Sequence, residues 1–419
     1  MKIVHVMNWY IPNMGYQENF LPLEQKKIGC DVEIITADRI PAFKEFRHEI
    51  HDEDRLIGEG LFEDNGIKIH RLPVLLEYKG SNQVILKGLK SKLRELKPDI
   101  VHAHGEIFPV TLQAMIYCKR LGFKLFVDCH SNGDNFILNS PLKQLYYMGA
   151  KIFYILLGGR VQCFLPVTYA SKELLTKYFG ISENRMELLP LGVNINRFCK
   201  SEKLQEAYRT KLGYSEDEFV IVSSGKFDPS KEIDTLIDAF SIVVKEYPKL
   251  RLLLIGRGSN EYMNYLNSII ERNKLNGQIR ILGFVDNSEL TAYFNLANVG
   301  VWPGTNSISV IEALGTELPV IIPKGDVAYK IVFDASAAIG FEKHDIHSLA
   351  AALGNLIRSP GIRLELSNNA RILVKENLSW AKVAERSIDL YSGHPEVHAT
   401  GGGPPPAPPL NEYSLGVSK

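Results

Sequence analysis

Short apolar runs alternate with helix-length amphipathic segments along most of this chain. Lys2–Met7, Val32–Thr36, Ile67–Leu72, Ile100–His102, Lys124–Val127 and Phe164–Val167 read as short buried strands. That rhythm predicts an α/β fold in which a parallel sheet is wound with helices on both faces. Val84 to Leu96 reads as one of the helices. Leu86, Leu89, Leu93 and Leu96 form its apolar stripe, while Lys87, Lys90, Lys92, Arg94 and Lys97 face away.

After Asn196-Arg197-Phe198 the chain turns polar, from Lys200 to Asp217, and then the rhythm restarts. Phe219–Ser224, Leu252–Ile255, Ile279–Leu282, Val299–Trp302, Val320–Ile322 and Ala335–Ile339 form the second set of strands. The expected organisation is two doubly wound, Rossmann-like domains, 1–199 and 200–377, followed by a helical stretch, 378–392. The Gly- and Pro-rich end, 393–419, cannot build a core and is expected to be disordered.

Composition narrows the picture. A chain of 419 residues exceeds one core of usual size. With 48 basic and 48 acidic residues it has no overall field to attract nucleic acid, so no nucleic-acid partner is expected. Five cysteines with no CxxC pair suggest neither a disulfide framework nor a zinc site, and reduced thiols fit the cytoplasm. The N-terminus reads as a strand and not a signal peptide. Leu145–Phe164 mixes Tyr146, Tyr147, Phe153, Tyr154 and Leu156 with Lys143, Lys151 and Arg160, which suits a buried core helix or a lipid interface. The most apolar part, Leu145–Gly158, is short and carries Lys151, which argues against a membrane span.

Two stretches carry candidate chemistry. In Trp302 to Pro323 a strand end is followed by a turn-rich loop and a short helix, with Ser309 and Glu312 spaced as a capping box. A helix starting where a parallel strand ends turns its N–H groups toward a crevice suited to phosphate. In Gly225 to Lys231, Asp228 and Pro229 fit an N-cap and first helical residue. Lys226 and Lys231 then lie near a positive helix end, an arrangement an anion would favour; two solvated lysines are the other reading. No Walker spacing is present.

The N-terminal strand with Pro12 and Gly15, Asp99-Ile-Val-His-Ala-His104, Asp128-Cys-His130 and Leu189-Pro-Leu-Gly-Val-Asn194 ending in Phe198 fall in an ordered series. The series continues with Gly225-Lys226, Lys231, Gly256-Arg-Gly258, Gly283-Phe-Val285, Glu312-Ala-Leu and Leu378-Ser-Trp380. Together they resemble the retaining GT-B glycosyltransferases of family four, from Met1 to about Tyr391. The resemblance implies two domains facing a cleft, with a C-terminal helix crossing back to the first. It implies a nucleotide-diphospho-sugar donor, UDP-linked foremost, and transfer with retention to a glycan, lipid-linked or small-molecule acceptor in cell-surface polysaccharide or glycoconjugate synthesis. No metal or other cofactor is expected. Peripheral contact with the inner face of the membrane is left open.

By the same resemblance, Lys226, Lys231 and the N–H groups around Ser307, Ile308 and Ser309 meet the diphosphate. Glu312 meets the ribose, and Gly283, Phe284 and Val285 offer backbone to the base. Gly15 and Gly225 belong to the donor-binding loops, and His130 sits beside the anomeric centre. Departures are Tyr16, where a second glycine is common, and Gly304, where the family carries the first of two glutamates. Asn306 is then the nearest candidate to contact the donor sugar, unless it only serves its turn. A non-catalytic nucleotide-sugar binder and a GT-B sugar-nucleotide epimerase are the alternative functions.

Overall fold

The computed structural model describes residues 1–12, 15–41, 55–78, 83–131, 141–304 and 307–393. The first half contains strands β1 (Lys2–Val6), β2 (Asp31–Ala37), β3 (Gly60–Asp64), β4 (Ile67–Leu72), β5 (Val74–Tyr78), β6 (Gln83–Leu86), β7 (Ile100–Ala103), β8 (Lys124–Cys129) and β9 (Val161–Pro166). Seven of them form one sheet of order β3-β4-β2-β1-β7-β8-β9. Its pairings are parallel except that β3 runs antiparallel to β4. Ile3, Val4, Val101, Leu125 and Val127 are fully buried, as central strands covered on both faces require.

β5 and β6 form a separate antiparallel hairpin, which corrects the expected helix from Val84 to Leu96. The β-branched pair Val84-Ile85 lies in β6, and the helix starts only at Leu89, after Gly88 at φ +84°. Leu86 from the strand and Leu89 and Leu93 from the helix still reach the same core. The apolar pattern was therefore sound, while its period was misassigned across a strand-to-helix junction.

The second half forms a six-stranded sheet of β10 (Phe219–Ser224), β11 (Leu250–Ile255), β12 (Ile279–Ile281), β13 (Val299–Val301), β14 (Val320–Pro323) and β15 (Ala338–Phe341). Every pairing in its order β12-β11-β10-β13-β14-β15 is parallel. Strand order reverses between β10 and β13, and in the first sheet between β1 and β7. Such switch points open a crevice beyond the carboxyl ends of the strands.

The chain crosses between the halves twice, and the crossings pair. Val193 N–H donates to Leu378 O at 2.7 Å, and Trp380 N–H to Val193 O at 3.3 Å. Gly192 lies beneath Trp380, where a Cβ would stand 2.5 Å from the indole. The last helix, Trp380–Ser392, returns to the first domain and buries Trp380, Val383, Ala384 and Tyr391 against Ile3, Leu21, Ile100 and Phe126. Gly393 ends it at φ +76°; the rest of the expected disordered tail lies outside the described residues. Among the described residues no helix is long and apolar enough to cross a membrane.

Candidate functional site

β10 and β13, side by side at the second switch point, deliver the two stretches singled out from the sequence. Ser224 O, at the end of β10, accepts from Trp302 Nε1 at 2.8 Å and from Ser309 Oγ at 3.1 Å. Ser309 Oγ also lies 2.7 Å from Ser307 Oγ, and a Cβ on Gly225 would stand 3.6 Å from that same Ser307 oxygen. The glycine loop and the start of helix Ile308–Gly315 are thus stitched together. Ser307 N–H donates to Tyr329 Oη at 3.2 Å.

The capping box is corrected. Ser307 is the N-cap, Ser309 is spent on Ser224, and the buried Glu312 accepts from Asn287 Nδ2 at 2.8 Å. Asn287 Oδ1 in turn accepts from Arg197 at 2.9 Å. Burial pushes the Glu312 carboxyl upward in pKa, opposed by the Asn287 bond and the Arg197 charge.

Asp228 does cap, accepting from Ser230 N–H at 3.0 Å, but it caps a separate 3-10 turn, Pro229–Lys231. Glu232 at φ +51° breaks the chain before helix Ile233–Val243 begins. Lys226 is exposed and Lys231 half-buried. This turn explains Gly304. A Cβ there would stand 2.1 Å from Ser230 O and 2.4 Å from Lys231 Cα, so the backbone of the lysine turn fills the space of a side chain. Asn306 lies outside the described residues. Gly283, at φ +57°, leads β12 into a turn whose Phe284 ring is exposed beside the half-buried Val285.

The first domain supplies a fully buried carboxylate. Asp128, next to last in β8, lies just beyond the Ala103–Val127 pair, and His104 directly follows β7. Its Oδ2 lies 2.6 Å from His104 Nδ1, 3.2 Å from His102 Nε2 and 3.3 Å from His130 Nε2; Gly105 N–H donates to its Oδ1 at 2.7 Å. Burial would raise the Asp128 pKa, but the His104 and His130 charges and the imidazole bonds hold it well below the ordinary carboxylate range. About a third of the His130 side chain is accessible. Burial opposes charge on that ring, yet Asp128, helped by Glu18 and Glu106, outweighs it and raises the pKa to about 9. The Asp128 charge thus favours the imidazolium form of His130.

Gly15, Glu106 and His130 from one domain and Asn287, Ile308 and Glu312 from the other line a single cleft of about 340 Å³. A Cβ on Gly15, at φ +81°, would lie 3.8 Å from Asn287 Oδ1, which measures how closely the walls approach. Of the expected residues, Gly15, His130, Ile308 and Glu312 meet here. Gly225, Ser307 and Ser309 adjoin the cleft through helix Ile308–Gly315, while Lys226, Lys231 and the 283–285 turn lie outside its enclosed volume.

Sequence reasoning did not assign roles to Asp128, Glu106, Asn287 or Arg197. The signal for Asp128 was its spacing: Asp128 and His130, like His102 and His104, stand two apart at strand ends and so share a face. Among the described residues, the ligating atoms of His102, His104 and Asp128 converge within 4.8 Å, close enough for a metal ion. Those atoms already engage one another, with Tyr391 on the far side of His102.

Two family models match in succession, Glycosyltransferase Family 4 over residues 24–197 and Glycosyl transferases group 1 over 205–373. The chain is 28% identical over 313 residues to the alpha-monoglucosyldiacylglycerol synthase of Acholeplasma laidlawii, covering 71% of this chain and 76% of that protein. It is 27% identical over 262 residues to the capsular polysaccharide biosynthesis glycosyltransferase CapM of Staphylococcus aureus, covering 58% and 66%. In fold it is similar to Anabaena HepE crystallised with UDP, at a TM-score of 0.70, 16% identity and coverage of 94% and 100%.

Proposed function

This chain belongs to the GT-B glycosyltransferases of family four, and on that footing we propose that it moves a sugar, with retention and without a metal, from a UDP-linked donor to a lipid-linked acceptor at the cytoplasmic membrane face. The observation that carries the reading is the cleft, where the His130 imidazolium faces Glu312 and the N-terminal turn of helix Ile308–Gly315. Those groups come from different domains, so the acceptor and donor sides meet only there.

Sugar transfer leaves negative charge on the departing nucleoside diphosphate. The first N–H groups of helix Ile308–Gly315, with Lys226 and Lys231 on the neighbouring loop, oppose that charge. Glu312, already held by Asn287, is placed to accept from the ribose hydroxyls. His130 contributes a positive donor on the side where negative charge builds on the departing diphosphate. These dipoles are built before the reaction, so little reorganisation is needed as charge develops.

The lipid side rests on helix Pro141–Leu157. Ala150 and Tyr154 are buried, whereas Leu145, Met148, Ile152, Ile155 and Leu156 are exposed along one stripe, with Lys151 exposed nearby. An apolar stripe beside a cation suits the headgroup boundary of a bilayer. A glycolipid synthase among the relatives supports the same acceptor class. The test is UDP release from a panel of UDP-sugars, with diacylglycerol vesicles or soluble glycans as acceptors. Acceptor-dependent release that falls by roughly 10²- to 10³-fold in Lys231→Ala and collapses in His130→Ala is expected. Binding of UDP-sugar without release under any acceptor overturns the proposal.

A further inference from the structure

The buried face of the C-terminal helix is wired to the cleft. Tyr391, fully buried against Phe126, has its hydroxyl 2.5 Å from His102 Nδ1, and His102 Nε2 lies 3.2 Å from Asp128 Oδ2. Gln25 Nε2 donates to Tyr391 Oη at 3.3 Å and to Ser387 Oγ at 2.8 Å. On the other side, His5 bridges Gln25 Oε1 at 2.7 Å and His104 Nε2 at 2.9 Å, and His104 returns to Asp128. Hydrogen bonds through Tyr391 and His102 therefore join this helix to the carboxylate beside His130, and His104 pairs with it from the other side. Every member is buried, a costly arrangement for packing alone.

The direction of each bond follows from proton inventory. Burial pushes His102 down to about 4, against the pull of Asp128, so it carries one ring proton at neutral pH. Asp128 is ionised and can only accept, which places that proton on Nε2 and leaves Nδ1 to accept from Tyr391. Tyr391 then accepts from Gln25. The relay reads Gln25 to Tyr391 to His102 to Asp128, with His130 Nε2 3.3 Å from the same carboxylate oxygen on the cleft side.

We propose that Tyr391 and His102 are positioning residues: the crossing helix anchors the His102 ring at Nδ1, the ring keeps its Nε2 proton aimed at Asp128, and Asp128 orients His130. This rests on the role given to His130 above. It makes the return of the C-terminal helix part of the active site's assembly, since Tyr391 and Asp128 are brought together only when that helix docks.

The test is the pH profile of UDP release by Tyr391→Phe, which keeps the ring and removes one hydroxyl. The groups facing His130 are Asp128, Glu18 and Glu106, with His102 and His104 behind Asp128. Without Tyr391 Oη, the His102 ring loses its partner at Nδ1 and is free to turn its N–H away from Asp128. A carboxylate with one donor fewer holds the His130 proton harder, so the alkaline limb should move upward by about half a unit to one unit, the scale of one hydrogen bond. kcat should fall about three- to tenfold with the donor KM unchanged. His102→Gln, which can keep an N–H aimed at Asp128, should retain more activity than His102→Ala. If Tyr391→Phe leaves kcat and the limb in place, or lowers melting temperature and kcat without moving the limb, the proposal is overturned. If His130→Ala is fully active, the reading of His130 itself fails, and that result separates the two.

Discussion

At the scale of single residues, the site turns on a charge the sequence did not advertise. His130 was legible as a histidine at a strand end, but its protonation depends on Asp128, buried two residues back, and only the fold shows how many donors converge on that carboxylate. Asp128→Asn keeps the shape and removes the charge. Burial then acts on His130 with little opposition, so its pKa should fall from about 9 to its ordinary 6.5 or below, and the alkaline limb of UDP release should move down with it. An unchanged limb would show that another group carries the titration. Gly304 offers a second test. Gly304→Ala puts a methyl 2.1 Å from Ser230 O, so the lysine turn must move; we expect about 1–3 kcal/mol of destabilisation and weaker UDP binding by calorimetry. Full stability with native affinity would remove the turn from the donor site. The capping-box reading failed here because spacing alone does not tell which serine caps: Ser309 matched the motif, but Ser224 O claimed its hydroxyl.

At the scale of elements, the parallel strands were legible because strands buried on both faces read as unbroken apolar runs. β3 and the β5–β6 hairpin were not, since Gly60–Asp64 is largely exposed and β6 hands its apolar pattern directly to the next helix. Helix Pro141–Leu157 illustrates a different ambiguity. Its sequence suited either a core or a lipid surface, and the fold uses it for a core on one side while leaving five large apolar side chains exposed on the other. Replacing Ile152, Ile155 and Leu156 together with serine removes exposed apolar surface only. Co-sedimentation with anionic vesicles should fall by about tenfold or more, at roughly 0.8 kcal/mol per methylene withdrawn from the bilayer, while turnover on a soluble acceptor stays the same. Vesicle binding that survives the triple change would assign membrane contact to another surface.

At the scale of the whole molecule, the cleft distributes positive charge so that neither domain completes the site alone. In the proposed reading the second domain gives Lys226, Lys231 and a helix N-terminus to the leaving group, and the first gives His130. Divalent metals in other transferases serve to neutralise a departing diphosphate, and the proposal gives that task here to protein cations and backbone dipoles. The one closely convergent ligand set among the described residues, His102, His104 and Asp128, is occupied in orienting His130 and lies behind it. On the proposed reading, transfer should proceed at full rate in excess EDTA, and the product should keep the donor's anomeric configuration. Loss of turnover on chelation, restored by magnesium or manganese, would place a metal in the reaction. An inverted product, read from the anomeric proton coupling by NMR, would overturn the retaining part of the proposal.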